Sequence, residues 1–276
     1  MTSHVTDHPF RRFEHAGWER ASGVYAESFG AATRLFAPAL LEAIGIRKDM
    51  ELLEVACGPG LLAAAAASRG ARVTGVDFSA NMVAEAKKLH PSLTFREADA
   101  EDLPFPDAAF DGVAINFGVH HFPFPQRALS EACRVLRAGG RLAFTVWASP
   151  EVNALHRIVL EAIREAGDAG ISLPASPSGE VTDIATCRRL LLESGFDGST
   201  LRVETTEASV TVESAQKLID IFVAGAVRMA ARIQSQPREK MPGILAAAEK
   251  AAARYRENEG LRIPATAILA AGTKPA

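Results

Sequence analysis

The stretch EVACGPG, Glu54 to Gly60, places a carboxylate beside a glycine turn, between an apolar run and an alanine-rich helical segment. Gly58 and Gly60 suit a backbone that turns tightly or comes close to a ligand. With Ala63 they spell G-x-G-x-x-A, a dinucleotide pattern, and Asp77, 19 residues after Gly58, fits an acid that accepts hydrogen bonds from two ribose hydroxyls. Two features oppose a pyrophosphate: Pro59 has no N–H to donate, and Glu54 disfavours an anion while suiting a cation. Asp99, Asn116 and the pair His120 and His121 follow. The two imidazoles, whose unperturbed pKa lies near neutrality, are the candidates for a general base, with His121 placed ahead of His120.

These residues need elements that bring them together. From residue 51, short apolar runs alternate with helical patterns: ELLEV, LLAAAAASR, ARVTGVD, SANMVAEAKKL, LTFREAD, DGVAIN, QRALSEACRVLR and GGRLAFTVW. Such alternation predicts crossover units and an α/β, doubly wound, mostly parallel sheet covered on both faces. Ligands of such sheets bind beyond the carboxyl ends of the strands, where Glu54, Ala56, Gly58, Gly60, Asp77, Asp99 and Asn116 all fall. Leu129, Ala132, Cys133 and Leu136 recur at helical spacing, which makes Cys133 a packing residue, and Ala138 to Gly140 stop that helix.

LLEVACGPG, GVDFSANMVAEAK, READAEDLPFPDAAFDGVAINFGVHHF and RVLRAGGRLAFTVW, in this order over residues 51–148, resemble the class I S-adenosylmethionine-dependent methyltransferases, in particular the ubiquinone and menaquinone C-methyltransferase group. The resemblance implies a seven-stranded Rossmann-like methyltransferase fold. It implies that Ala56, Gly58 and Gly60 line the methionine part of the cofactor, with Ala56 where many members have glycine. That change is read as mild, because alanine tolerates most backbone conformations, though not positive φ. Asp77 would hold the ribose, Phe78 and Met82 the adenine faces, and Asp99 and the Ala100 N–H the adenine edge. Asn116 and Phe117 would border the methyl group, and Tyr25 would lie in a helix over the cofactor, its phenol on the methionine carboxylate, on the acceptor, or simply packed. Each has a bland alternative: the acids as caps, the apolar residues and Trp18 as core. Two rival functions stay open, a nicotinamide-dependent oxidoreductase and an S-adenosylmethionine-binding protein that transfers no methyl group.

Outside the sheet, residues 1–50 read as a helical cover, 51–212 as the cofactor-binding core, 213–257 as a helical lid inserted between the last two strands, and 258–276 as the strand that completes the core. The insertion reads as two helices, Glu213 to Gln234 and Gly243 to Arg256. The first carries Leu218, Phe222, Ala226, Met229 and Ile233 on one stripe, widened by Ile219, Ile221 and Val223. The excess apolar width predicts a greasy substrate pocket or a homo-oligomer contact. Arg228, Arg232, Arg238 and Lys240 read as a solvated face, or as a seat for an acidic substrate tail.

Composition narrows the classes. The 276 residues are 48% hydrophobic with a formal charge of −3, enough for a full core and no field for nucleic acid. Three widely spaced cysteines suggest neither disulfides nor zinc. His4, His8 and His15 fall in an N-terminal arm, His90 and His156 stand alone, and no acidic metal cluster is recognisable, so no metal is expected. No signal-like segment or spanning apolar run is apparent, so the cytoplasm and a small-molecule acceptor are the expected setting.

Overall fold

The computed structural model describes residues 8–276; His4 lies outside them. Three helices open the chain: α1 (Pro9–Tyr25), α2 (Phe29–Arg34) and α3 (Ala37–Ile44). Pro9 at the first turn and the His8 imidazole, which accepts from the Phe10 N–H at 3.1 Å, start α1. His8 and His15 therefore belong to an ordered helix and its cap, not to a loose arm.

The core alternates β1 (Glu51–Val55), α4 (Leu61–Ala67), β2 (Arg72–Asp77), α5 (Ala80–Leu89), β3 (Thr94–Glu97), β4 (Phe110–Asn116), α6 (Pro125–Val135) and β5 (Leu136–Trp147). It continues with α7 (Ala154–Ala166), α8 (Ile184–Glu193) and β6 (Arg202–Val212). Next come α9 (Ala215–Gly225), α10 (Val227–Gln234), α11 (Met241–Ala252), β7 (Arg256–Glu257) and β8 (Gly260–Thr273). Helix α6 ends at Val135, before the expected Ala138, because residues 137–140 form an irregularity between the Phe110 and Gly112 pairings of β4 with β5.

The strand order is β3-β2-β1-β4-β5-β8-β6, parallel from β3 to β5, with β8 antiparallel to both β5 and β6. The seven expected strands are present; the two-residue β7, a hairpin partner of β8, makes an eighth. Adjacent residues face opposite layers, as the pleat requires. Leu52 packs with Leu40, Leu41 and Ile44 of α3 on one face, and Leu53 with Leu129 of α6 and Leu191 of α8 on the other. Strand order reverses between β1 and β4, which fixes the crevice for a ligand at their carboxyl ends.

The inserted segment differs from the expected pair of helices. Its first helix breaks at Ala226, whose φ of −119° and ψ of 93° are extended, so the segment holds three helices. Gly225 at the break lies so close to α2 that a Cβ there would meet the Phe29 Cβ at 2.6 Å. The second contact of the wide stripe is also internal: Ile219 is buried, and Ile221 and Val223 pack on the cluster of Phe29, Trp147 and Phe222. No described helix is long and apolar enough to cross a membrane.

Candidate active site

The crevice begins at two strained strand ends. Ala56, after β1, has φ 55° and Phe117, after β4, has φ 57°, both in the left-handed region that ordinarily favours glycine. The alanine at position 56 is therefore not the mild change expected, and two such residues side by side at one crevice are the usual mark of a functional site. Gly58 (φ 51°) donates its N–H to Asp77 Oδ2 at 2.8 Å and shows an open face, since a Cβ there would meet only Met82 Sδ at 4.0 Å. Gly60 does not line the crevice. Its φ of 79° shapes the turn, and a Cβ would strike Phe95 at 2.7 Å and His90 at 3.0 Å.

Tyr25, Glu54, Ala56, Gly58, Asp77, Phe78, Met82, Asp99, Ala100, Asn116, Phe117 and His121 all line one cleft. Asp77 Oδ1 accepts from the Ser79 N–H at 3.0 Å, so its carboxylate braces the glycine turn and the start of α5 together. Burial raises its pKa from 3.8 to about 6, against the hydrogen bonds from Ser79 and Gly58. Glu54 is buried, its Oε2 has no hydrogen-bond partner, and burial lifts its pKa well above the usual range. A buried acceptor without a donor costs free energy until a ligand supplies one.

Several sequence-predicted residues are already occupied within the chain. Asp99 pairs through Oδ2 with Arg11 and accepts the Glu101 N–H on Oδ1 at 2.9 Å. Asn116 Oδ1 accepts from Thr145 Oγ1 at 2.7 Å and its amide reaches the Thr33 carbonyl at 3.3 Å. The Tyr25 hydroxyl lies 3.2 Å from Thr33 Oγ1, which itself donates to the Gly30 carbonyl, so the phenolic proton is committed to Thr33. Burial pushes that phenol up to about 12.

A second cavity shares Trp18, Tyr25, Phe117 and His121 with the first. Its wall is aromatic: Trp147 stacks on Phe117 at 4.0 Å, and His156 sits against Trp147 and Phe222, both at 5.1 Å. Burial lowers His156 to about 4 and takes His120 well below its usual range, so both rings are neutral at pH 7. His120 lines only this second cavity, and its Nδ1 is buried without a partner.

His121 stands at the junction of the two cavities. Its Nδ1 is 2.9 Å from Oε2 of the fully buried Glu14, and Trp18 meets its ring edge-on at 5.0 Å. Arg228 Nη1 lies 3.6 Å from the other Glu14 oxygen and donates to the Pro174 carbonyl. Arg228 is thus no solvated residue, and Trp18 packs against Tyr25 and His121 where it lines both cavities. Sequence reading missed Glu14, Arg11 and Glu19, although Arg11, Glu14, Trp18 and Tyr25 recur at helical spacing on one face of α1. Among the described residues no group of three or more His, Cys, Asp or Glu is arranged to hold a metal ion.

The family model for the methyltransferase domain matches residues 53–144, the segment that carries the turn, both acids, Asn116 and both histidines. Residues 53–144 form a methyltransferase domain. The domain region is 42% identical over 117 residues to the demethylmenaquinone methyltransferase of Beutenbergia cavernae, which is 42% of this chain and 49% of that protein. It is 40% identical over 136 residues to the ubiquinone/menaquinone biosynthesis C-methyltransferase UbiE of Rhizobium leguminosarum bv. trifolii, 45% of this chain and 53% of that protein. The chain spans about half the length of the curated relatives it matches. Phosphoethanolamine N-methyltransferase 2 of Haemonchus contortus, solved with phosphomonomethylethanolamine and S-adenosylhomocysteine, shares the fold of the methyltransferase domain and its surrounding elements. The TM-score is 0.58 at 18% identity, over 97% of this chain and 60% of that one.

Proposed function

We propose that the protein is an S-adenosylmethionine-dependent methyltransferase that alkylates a small, largely apolar acceptor held in the second cavity. The observation that carries the reading is Glu54: a buried carboxyl oxygen without a partner, beside an open Gly58 and across from Asp77, asks for a cationic, ribose-bearing ligand. An ammonium would satisfy Glu54, and the ribose hydroxyls would use the remaining lone pairs of Asp77. Neither acid suits the pyrophosphate of a nicotinamide cofactor, which weakens the oxidoreductase alternative. Phe78 and Met82 offer apolar faces to the adenine. Asp99 and Ala100 border its edge, while Ala56, Asn116 and Phe117 border the methionine tail; Gly60 supports the turn from behind.

When bound, S-adenosylmethionine supplies an activated methyl group on sulfur, which departs as a neutral thioether as the acceptor atom takes the methyl. The chain's task is alignment, exclusion of water and removal of the acceptor's proton. With Nδ1–H donated to Glu14, His121 keeps Nε2 as the basic nitrogen, at the point where the two cavities meet. His120, held neutral, contributes wall.

Residues 213–257 act in this reading as a lid, because Ala226, Val227 and Met229 line one side of the second cavity. The setting is cytoplasmic and the partner a small molecule, without nucleic acid. Self-association through the N-terminal or inserted helices is read by light scattering against the 29.3 kDa of one chain. The decisive test is binding: calorimetry should detect S-adenosylhomocysteine and no NAD, and the reverse result would discard the reading. An S-adenosylmethionine-binding protein that transfers no methyl group would bind yet leave methyl-labelled cofactor unused with every acceptor. His121→Ala is expected to slow methyl transfer about a hundredfold or more at nearly unchanged S-adenosylhomocysteine affinity.

A further inference from the structure

The second cavity carries an unused charge. Arg228 and Arg232 lie about one helical turn apart on the cavity face of α10, about 6 Å along the axis. Arg228 is engaged by Glu14 and the Pro174 carbonyl. The half-buried Arg232 guanidinium has no hydrogen-bond or ion-pair partner among the described residues. His156 and His120 are neutral there, and the one carboxylate on the lining, Glu180, is exposed on the connecting loop. The cavity therefore runs from a proton-accepting imidazole, past an aromatic wall of Phe29, Phe117 and Trp147, to a cation without a counter-ion.

We infer that the acceptor is an aromatic carboxylate: a planar ring seated on the Trp147 and Phe117 wall, its nucleophilic hydroxyl at His121 and its acid group on Arg232. A guanidinium offers paired donors that match a carboxylate, and the partial burial of Arg232 strengthens such a pair over one on an open surface. A wholly apolar acceptor leaves Arg232 unmatched, so the cation selects against it. The inference rests on the second cavity being the acceptor's, and it adds the acceptor's charge and chemical class.

The test is calorimetric titration of the full chain, with S-adenosylhomocysteine present, using 4-hydroxycinnamate and 4-hydroxybenzoate against their methyl esters. At least one acid is expected to bind tenfold or more tightly than its ester. Arg232→Gln should remove that preference and Arg232→Lys retain part of it, with thermal unfolding unchanged in both. Esters binding as well as the acids, a preference that survives Arg232→Gln, or no binding of any probe would overturn the inference. S-adenosylhomocysteine binding is measured separately in each variant, so its loss in the wild type would count against the methyltransferase reading and not against the role of Arg232.

Discussion

Asp77 couples the site to pH. Its folded-state pKa, about 6, lies above the ordinary 3.8, so the folded chain holds a proton that the unfolded chain releases between those values. This group therefore favours folding below about pH 3.8, and the contribution is lost as pH rises through about 6; the shift corresponds to on the order of 3 kcal/mol. Ligand binding has the opposite sense, because ribose hydroxyls require the carboxylate. S-adenosylhomocysteine affinity is expected to fall about tenfold per pH unit below about 6, and Asp77→Asn to bind weakly with a flat profile, both read by calorimetry. Ala56 offers a second residue-scale measurement. Its left-handed backbone predicts that Ala56→Gly raises stability by about 1 kcal/mol in denaturant unfolding. The gain is tempered by the added freedom of glycine when unfolded.

At the scale of elements, α1 is the piece that completes the site. It brings Arg11 to Asp99 and Glu101, and Glu14 to His121. Glu19 accepts from Ser79 Oγ at 2.6 Å and from the Asn81 N–H at 3.2 Å at the start of α5. Gly17 lets α1 meet α10 so closely that a Cβ would overlap the Val227 side chain. Gly17→Leu should therefore push α10 away, costing about 1–3 kcal/mol in thermal unfolding and opening the second cavity. Because Glu54 and Asp77 lie on the sheet, the same variant is expected to keep most of its S-adenosylhomocysteine affinity. A parallel loss of cofactor binding would show that α1 and the turn fold as one unit.

Across the whole molecule, the ligand crevices lie under two covers, the N-terminal helices and the inserted segment, which meet through Gly17 and Gly225. Helices of both covers line the second cavity, and the lid proposed above would move as an acceptor enters. Limited proteolysis is expected to cut within residues 226–241 in the free chain and to slow when S-adenosylhomocysteine and an acceptor analogue are both bound. Equal cutting in both states would remove the lid from the mechanism.

Much of this arrangement was legible in the sequence because its determinants are local. Apolar runs of β1, β2, β4 and β5 alternate with helical periodicity, and an α/β sheet places the residue after each strand at one edge. Glu54, Gly58, Asp77, Asp99 and Asn116 are thus assignable to a single crevice from the sequence. Other features depend on contacts between distant parts of the chain. The positive φ of Ala56, the packing role of Gly60 and the break at Ala226 follow from neighbours that local propensity does not report. The Glu14 and His121 pair spans 107 residues, and whether Arg232 faces solvent or a cavity is decided by how α10 docks. Sequence periodicity determined the sheet and the edge where its strands end; only tertiary packing, which joins residues far apart in the chain, decided which helix brings a carboxylate to His121 and which arginines face the second cavity.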